Sequence, residues 1–225
     1  MNPILHVSQL CKSFTQGDKD VQVLTRINME VSAGEKIAIL GQSGSGKSTL
    51  LSLLGGLDNP DSGTIHISGV NLAEMSEDER SKTRSQKLGI VFQQYHLMRN
   101  LTAVENVGLP LEILNTPNHR ELAHKAIAEV GLSHRTSHFP SEMSGGECQR
   151  IAIARAMVTQ PSLILADEPS GNLDQKSGEE VMNLLFNLCT EYQTTLLLVT
   201  HNHELAKRCD RTMQLTGGVL NELNR

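Results

Sequence analysis

A chain of 225 residues, 38% of them hydrophobic and 20% charged, has room for one large domain or two small ones and can bury a core. The formal net charge of −5 argues against a nucleic-acid backbone as the main partner, since proteins that bind one are more often basic. The apolar runs are only a few residues long, whereas a membrane-spanning helix needs about 20. We therefore expect no segment to cross a bilayer.

The cysteines and the first residues indicate the compartment. Cys11, Cys148, Cys189 and Cys209 are scattered, and no two have C-x-x-C spacing. This pattern is typical of reduced thiols in a cytosolic protein. Residues 1–6 have no basic region followed by an apolar stretch, so we expect no signal peptide.

In chain order, short apolar runs bounded by turn residues alternate with helical segments, as in an α/β protein. Strands are predicted at 36–40, 63–67 (antiparallel), 89–92, 163–167, 195–200, 212–215 and 219–221, and helices at 47–54, 146–158, 178–188 and 204–208. Residues 104–132 carry apolar residues at helical spacing and few strand signals. We expect a single domain over 1–225, with an N-terminal antiparallel β region and a helical insert at about 94–158.

The segment Gly41–Ser48 matches the phosphate-loop pattern G-x-x-x-x-G-K-[ST] and lies between a predicted strand and a predicted helix. Glycines let the backbone wrap a triphosphate closely, and the start of the helix adds its positive end. Lys47 is expected to reach the β- and γ-phosphates of ATP, and the Ser48 hydroxyl to bind Mg²⁺. A glycine-rich turn without a ligand is the alternative. We also expect Lys47 to lie near the surface, so that its removal would cost no packing.

Asp167 and Glu168 follow the predicted strand 163–167 directly. Ligands of open α/β sheets bind at the carboxyl ends of the strands. Asp167 is therefore predicted to help hold Mg²⁺ through a water molecule, and Glu168 to polarise the water that attacks ATP. The alternative is a strand that ends in two solvated acids.

A third motif, Met143-Ser-Gly-Gly-Glu-Cys-Gln-Arg150, lies between the other two. A serine hydroxyl and two bare backbone N–H groups at a helix start form an anion site, although a simple N-cap would also explain Ser144. The order of the three motifs resembles the nucleotide-binding subunits of ABC transporters, whose usual signature is L-S-G-G-Q. Met143 and Glu147 depart mildly from that signature. The resemblance implies a homodimer in which each signature closes on the γ-phosphate held by the other copy.

The resemblance assigns further positions. Gln93 matches the Q-loop glutamine that contacts Mg²⁺, Asp174 matches the D-loop aspartate at the subunit contact, and His201 matches the switch histidine on the γ-phosphate. Phe14 matches the aromatic residue that stacks on adenine, and a core aromatic is the alternative. The expected catalytic residues are Lys47, Glu168 and His201, and the expected Mg²⁺ ligands are Ser48, Gln93 and Asp167. The expected nucleotide-binding residues are Phe14, Gly41, Gln42, Ser43, Gly44, Ser45, Gly46, Lys47, Ser48, Thr49, Gln93, Ser144, Gly145, Gly146 and Asp174.

Further sequence segments, such as Leu101-Thr-Ala-Val-Glu-Asn106 and Ala166–Asp174, resemble those of a group of ABC ATPases that includes LolD, MacB and YbbA. This resemblance implies a partner similar to LolC/LolE, MacB or FtsX-like permeases, reached from the cytoplasmic face of the inner membrane. We expect that partner to dock near Tyr95–Glu105, although Leu97 and Leu101 would equally suit packing under the insert. Segments 208–211 and 23–25 are more similar to YbbA than to LolD.

Other functions are less consistent with the sequence. ABC ATPases of DNA repair or translation carry long coiled-coil inserts or two fused domains, for which this chain is too short. A regulatory scaffold with a dead site is disfavoured by the intact Lys47, Glu168 and His201. The segment His201-Asn-His-Glu204 could be a metal cluster, but the switch-histidine interpretation already explains His201, and His203 and Glu204 are typical of a solvated helix start.

Overall fold

The contacts divide the chain into two compact units in the computed structural model, which describes residues 3–17 and 19–223. Unit 1 extends to residue 84 and resumes at residue 195, and unit 2 consists of residues 85–194. This division is wider than the helical insert expected at about 94–158. The single domain over 1–225 and the bounds of the insert stay predictions.

Unit 1 contains the expected antiparallel sheet. Its strands are β1 (Leu5–Gln16), β2 (Lys19–Val31), β4 (Ser62–Ile67) and β5 (Val70–Asn71), in the order β2-β1-β4-β5. All three pairings are antiparallel. Along the second half of β2 the buried side chains alternate with exposed ones, because one face of the sheet packs on the core and the other meets solvent.

The other strands of unit 1 are mainly parallel. The strand β3 (Lys36–Leu40) pairs in parallel with β8 (Thr195–Thr200) and with β9 (Arg211–Thr216), and β10 (Val219–Glu222) runs antiparallel to β9. Both β3 and β8 are buried along almost their whole length, as their continuous apolar runs predict. The helices are α1 (Lys47–Leu54), α2 (Glu77–Lys87) and α7 (His203–Lys207); the boundary with unit 2 falls inside α2.

Unit 2 combines two strands with four helices. The parallel strands are β6 (Leu88–Val91) and β7 (Leu163–Asp167). The helices are α3 (Ala103–Ile113), α4 (His119–Glu129), α5 (Gly145–Met157) and α6 (Gln175–Glu191). The first three pack on one another, and α5 also packs on β6 and α6. The helix α5 therefore lies at the centre of this unit.

The predicted helical stretch 104–132 is interrupted. It consists of α3 and α4, and the connection contains Asn115 and Asn118 in left-handed backbone conformations. Asparagine tolerates this conformation better than most residues, so these two positions end one helix and begin the next. Within residues 3–17 and 19–223, no helix combines the length and apolar character needed to span a membrane.

Candidate functional site

The phosphate loop connects β3 to α1 in unit 1. Gly46, the residue before α1, has a φ of 97°, and no side chain caps the helix. A Cβ at this position would lie 3.0 Å from Val23 Cγ1, so a glycine is required both by the backbone and by the space. The first turn of α1 also lacks acidic residues. The start of this helix therefore directs uncapped N–H groups and no negative charge towards a ligand.

Lys47 corrects one expectation from the sequence. Its side chain is only 8% exposed, and its Nζ donates hydrogen bonds of 2.8 Å to the backbone oxygens of Gly41 and Gln42. The prediction of a lysine near the surface was wrong, because the loop folds back over the ammonium group and its own carbonyl groups solvate the charge. The Lys47 side chain is thus fixed inside the phosphate loop by hydrogen bonds to the backbone of that loop.

A cleft of about 410 Å³ adjoins the phosphate loop in unit 1. It is lined by residues 42–45 of the loop, 21–23 of β2 and 214–218 of the β9–β10 hairpin. Ser45 Oγ is buried and has no hydrogen-bond partner among the residues that the structure describes. Buried polar atoms are normally paired, so this hydroxyl indicates a place where a polar ligand would be accommodated.

Phe14 lies beside the same cleft. It pairs directly with Val21 across β1 and β2, which puts both side chains on one face of the sheet, and each is 44% exposed. The alternative of a core aromatic is therefore wrong. Lys12 Nζ lies 5.0 Å from the centre of the Phe14 ring. The same ammonium group donates to Asp58 Oδ1 at 3.0 Å and to Asn59 O at 2.7 Å. The ring is supported from the protein side and available for stacking.

His201 emerges next to the phosphate loop. Leu40 of β3 pairs with Thr200 of β8, so Gly41 and His201 leave neighbouring parallel strands at the same level. Such strands are about 4.8 Å apart. His201 is exposed at this edge. This register places the backbone of His201 beside the start of the phosphate loop.

In unit 2 the same register argument joins Gln93 and Glu168. Val91 of β6 pairs with Ala166 of β7, and β7 ends at Asp167. Gln93 and Glu168 each lie two residues beyond this pair, so they leave the two strands at the same level of the sheet. Glu168 has a φ of 46°, a left-handed conformation that costs a non-glycine residue on the order of 1–3 kcal/mol. Strain of this kind concentrates at functional sites.

Asn172 is the hydrogen-bond partner of Gln93, a contact that the sequence did not reveal. Gln93 Nε2 donates to Asn172 Oδ1 at 3.0 Å, and Asn172 Nδ2 donates to Gln93 O at 3.1 Å. The Q-loop glutamine is therefore held by the segment 170–174, which ends at Asp174. Asp174 caps α6 by accepting from Ser177 N at 3.1 Å. The hydrogen bond from the Ser177 side chain and, second, the one from Ser177 N lower the pKa of the Asp174 carboxyl.

The signature segment forms the start of α5. Ser144 is the N-cap, and its hydroxyl accepts from Glu147 N at 3.3 Å while Glu147 Oε2 accepts from Ser144 N at 2.8 Å. Glu147 Oε1 also accepts from Arg135 Nε at 2.8 Å. The hydrogen bond from Ser144 N and, with smaller weight, the hydrogen bonds from the Ser144 and Arg135 side chains lower the pKa of Glu147 to about 2. The N-cap interpretation is thus correct for Ser144, and Arg135 is a partner that sequence spacing did not indicate.

A groove of about 630 Å³ lies between the segment after Gln93 and the segment before α5. Arg155 of α5 holds the backbone of this loop, donating to His96 O at 2.6 Å and to Tyr95 O at 2.9 Å. At the start of α5, a Cβ on Gly145 would lie 2.7 Å from Tyr95 Oη, so a larger residue there would displace the tyrosine hydroxyl. The lining residues are Gln94, Tyr95, His96, Leu97, Arg99, Pro140, Ser141, Met143, Gly145 and Cys148.

The segment 201–204 is not part of a metal cluster in the structure. Within the described residues, no group of three or more His, Cys, Asp or Glu side chains could hold a metal ion. Asn202 caps α7 by accepting from Glu204 N at 2.8 Å, and Glu204 pairs with Lys207 at 2.7 Å. His203 and Glu204 are exposed, so the interpretation as a solvated helix start is confirmed.

Residues 24–171, which include the phosphate loop, the signature and the Asp167–Glu168 pair, match the family model described as ABC transporter. The chain belongs to the ABC transporter family. It is 49% identical over 221 residues to the lipoprotein-releasing system ATP-binding protein LolD of Psychrobacter arcticus, which covers 97% of this chain and 98% of that protein. LolD of Pseudomonas syringae pv. tomato is 46% identical, with 97% of each chain covered.

Two solved structures of the cassette MJ0796 are also similar to this ABC subunit. One is described as a dimeric, post-hydrolysis state bound to ADP and Pi, and the other as the dimeric structure of a bacterial ABC transporter cassette. Each superposes with a TM-score of 0.89 at 36% identity and covers 98% of this chain. The α/β ABC-type fold and the function as the ATP-binding, ATP-hydrolysing subunit of a transporter are thereby confirmed.

Proposed function

We propose that this ABC subunit powers a membrane partner similar to LolC/LolE, which releases lipoproteins from the inner membrane. The observation that carries the proposal is the similarity to LolD proteins, which are 45–49% identical over 96–100% of this chain. Similarity at this level extends far beyond the motifs that every ABC ATPase shares. It favours the LolD group over MacB and YbbA, although the short segments 208–211 and 23–25 are more similar to YbbA.

Within the proposed cycle, residues of unit 1 bind the nucleotide. Phe14 stacks on adenine, the loop from Gly41 to Thr49 wraps the phosphates, and Lys47 and His201 hold the γ-phosphate. The uncapped start of α1 and the position of His201 at the adjoining strand end support these roles. Charge stabilisation by such fixed donors is the main catalytic contribution expected in phosphoryl transfer.

Residues of unit 2 supply the remaining chemistry. Glu168 polarises the attacking water, and its strained backbone is consistent with a position set by function. Ser48 of unit 1, and Gln93 and Asp167 of unit 2, offer hydroxyl, amide and carboxylate oxygens, which are the donor types that Mg²⁺ prefers. When bound, Mg²⁺ would neutralise charge that develops on the phosphate oxygens.

Two copies of the chain are proposed to close on ATP. Ser144, Gly145 and Gly146 of one copy would meet the γ-phosphate held by the other, with Asp174 at the contact. The dimeric cassettes to which this chain is similar support the arrangement. Hydrolysis would then reopen the dimer.

The groove beside the Q-loop is the proposed docking site for the membrane partner, which would place this subunit on the cytoplasmic face of the inner membrane. Met98, Arg99 and Asn100 are exposed on its rim, and Leu97 lines it. Leu97 and Leu101 are half-buried, which suits contact with a partner as well as packing. The backbone hydrogen bonds from Arg155 attach this loop to the helix that begins with the signature.

Glu168→Gln tests the hydrolytic and dimeric parts of the proposal. The substitution keeps size and hydrogen bonding but removes the negative charge. Turnover should fall by about 10²–10⁴-fold, the usual contribution of a general base, while ATP binding persists. The variant should accumulate as an ATP-bound dimer in size-exclusion chromatography. Turnover at the parent rate in the assembled complex would exclude Glu168 as the base and leave His201 to be tested.

Crosslinking tests the docking site and the partner together. Photo-crosslinkers at Arg99 and Asn100 should capture a membrane protein with four transmembrane segments, and the purified complex should release a lipoprotein from proteoliposomes in an ATP-dependent manner. A crosslinker at the exposed Glu222 is the matched control. Capture from Glu222 alone would contradict the docking site, and a complex that hydrolyses ATP without releasing lipoprotein would contradict the cargo.

A further inference from the structure

The acidic residue in the signature raises an electrostatic difficulty. Glu147 occupies the third position of α5, within the first turn of the helix that should receive a phosphate. The carboxylate is ionised at neutral pH, and it is well buried, with 13% of the side chain exposed. A fixed negative charge beside an anion site opposes anion binding, because two like charges a few ångströms apart repel each other strongly at the protein surface.

The hydrogen bonds of Glu147 show how its negative charge is offset. Glu147 Oε2 is turned back to Ser144 N, and Oε1 receives Arg135 Nε at 2.8 Å. The guanidinium group therefore offsets the carboxylate charge at contact distance. The Ser144 hydroxyl accepts from Glu147 N and is itself hydrogen-bonded to the Glu147 carboxylate, so both side chains are fixed at the helix start. Arg135 is itself 69% covered, so its position is defined by packing as well as by the ion pair.

We propose that Arg135 is a positioning residue for the signature: it neutralises Glu147 and fixes the carboxylate in its hydrogen bond with Ser144 N, so that the start of α5 can receive the γ-phosphate of a second copy. This inference rests on the proposed ATP-driven dimer. Arg135 acts through Glu147 in this scheme and does not contact the nucleotide. The affinity of the ATP-bound dimer should therefore depend on Arg135 only while residue 147 carries a charge.

The test uses the full chain with Glu168→Gln as the parent, because that variant holds the ATP-bound dimer. The dimer dissociation constant is measured by analytical ultracentrifugation with ATP and Mg²⁺. Arg135→Gln keeps a hydrogen-bond donor but removes the charge, and it should weaken the dimer by about tenfold. Adding Glu147→Gln to that variant should restore the constant to within about twofold of the parent. Arg135→Lys should lie close to the parent.

Two further measurements separate electrostatics from structure. Arg120→Gln removes a charge from exposed α4 in the same unit without touching Glu147, and it should leave the dimer unchanged. At about 1 M salt, where screening acts within about 3 Å, the defect of Arg135→Gln should shrink. A purely structural role of Arg135 would give a defect that neither salt nor Glu147→Gln relieves.

The outcomes are distinct. An undiminished dimer in Arg135→Gln, or a defect that Glu147→Gln fails to rescue, would overturn the positioning role while leaving the proposed function intact. A parent that binds ATP but forms no dimer at any protein concentration would overturn the proposed dimer itself, and the role of Arg135 with it. A loss of dimer affinity in Arg135→Gln that Glu147→Gln rescues supports the inference.

Discussion

The helices α1 and α5 both begin at proposed phosphate sites, but their first residues are built in opposite ways. Gly46 gives α1 a start without a side-chain cap and without acidic residues in the first turn. The start of α5 has a reciprocal cap between Ser144 and Glu147, and the charge of Glu147 is paired with Arg135. One helix begins without a side-chain cap, whereas the start of the other is capped by its own side chains.

This difference indicates how long each site has to hold phosphate. A start without a side-chain cap leaves room for a ligand to accept from the first N–H groups, which suits a site that binds nucleotide tightly. A capped start is stable by itself and offers mainly the Ser144 hydroxyl and the helix dipole. That suits a contact that forms and breaks in every cycle.

The strongest test of the phosphate loop is Lys47→Ala. Loss of the charge fixed inside the loop should lower ATP turnover by at least about 10²–10³-fold, the cost of removing one preorganised donor. The loss of two hydrogen bonds to loop carbonyls should also lower the melting temperature by several degrees. Lys207→Ala, on the exposed surface of α7, is the control for both measurements. Full turnover at saturating ATP would contradict the assignment of the loop.

Gly46→Ser would give α1 a capping residue of the α5 kind. The new Cβ would meet Val23 and would disfavour the φ of 97°, so ATP affinity should fall by about tenfold or more and stability by on the order of 1–3 kcal/mol. Gly69→Ser is the matched control, since Gly69 has a φ of 82° and open space around it. Equal losses of ATP affinity in the two variants would show that strain alone, not the loop, causes the effect.

Ser144→Ala removes the cap of α5 and should cost about 1 kcal/mol of stability. Thr102→Ala disrupts the related cap of α3, where Thr102 N and Oγ1 both donate to Glu105 Oε2 at 2.7 Å and no phosphate is proposed, and should cost a similar amount. Only Ser144→Ala should also weaken the ATP-dependent dimer in the Glu168→Gln parent, measured by ultracentrifugation. A dimer weakened equally by both substitutions would mean that the cap has no role beyond stability.

The smallest expected effect is the acid sensitivity of the α5 start. The pKa of Glu147 is lowered to about 2 by its hydrogen bonds to Ser144 and Arg135. Above pH 4.5 the carboxylate is ionised in both the folded and the unfolded chain, and its stabilisation is complete. Between pH 4.5 and 2 the unfolded chain takes up the proton first, so about 1–2 kcal/mol should be lost. Urea unfolding at several pH values should show a shallower pH dependence in Glu147→Gln than in Glu121→Gln.

Sequence reasoning succeeded where one property dominates. The buried strands β3, β7 and β8 are continuous apolar runs between turn residues, and their predicted bounds match the structure. The helix α2 was missed because it is polar almost throughout and, as described, buries only Arg80. Its sequence carries no apolar stripe from which a helix could be predicted.

The site shows the same limit. Motif spacing led to the phosphate loop and the signature, but it could not show that Lys47 is enclosed by its own loop. Nor could it show that Asn172 holds Gln93, or that Arg135 pairs with Glu147. These contacts join residues that are 79 and 12 positions apart, and their side chains meet only after the unit has folded.

The hydrogen bonds from Arg155 to the loop after Gln93 have a consequence for how such subunits diversify. Arg155 binds the backbone oxygens of Tyr95 and His96, so the attachment does not depend on the side chains that follow in the loop. Met98, Arg99 and Asn100 can then change freely without loosening the loop from α5. At the proposed docking site, surface substitutions would therefore change the fit to a membrane partner and leave the hydrogen bonds from Arg155 to this loop intact.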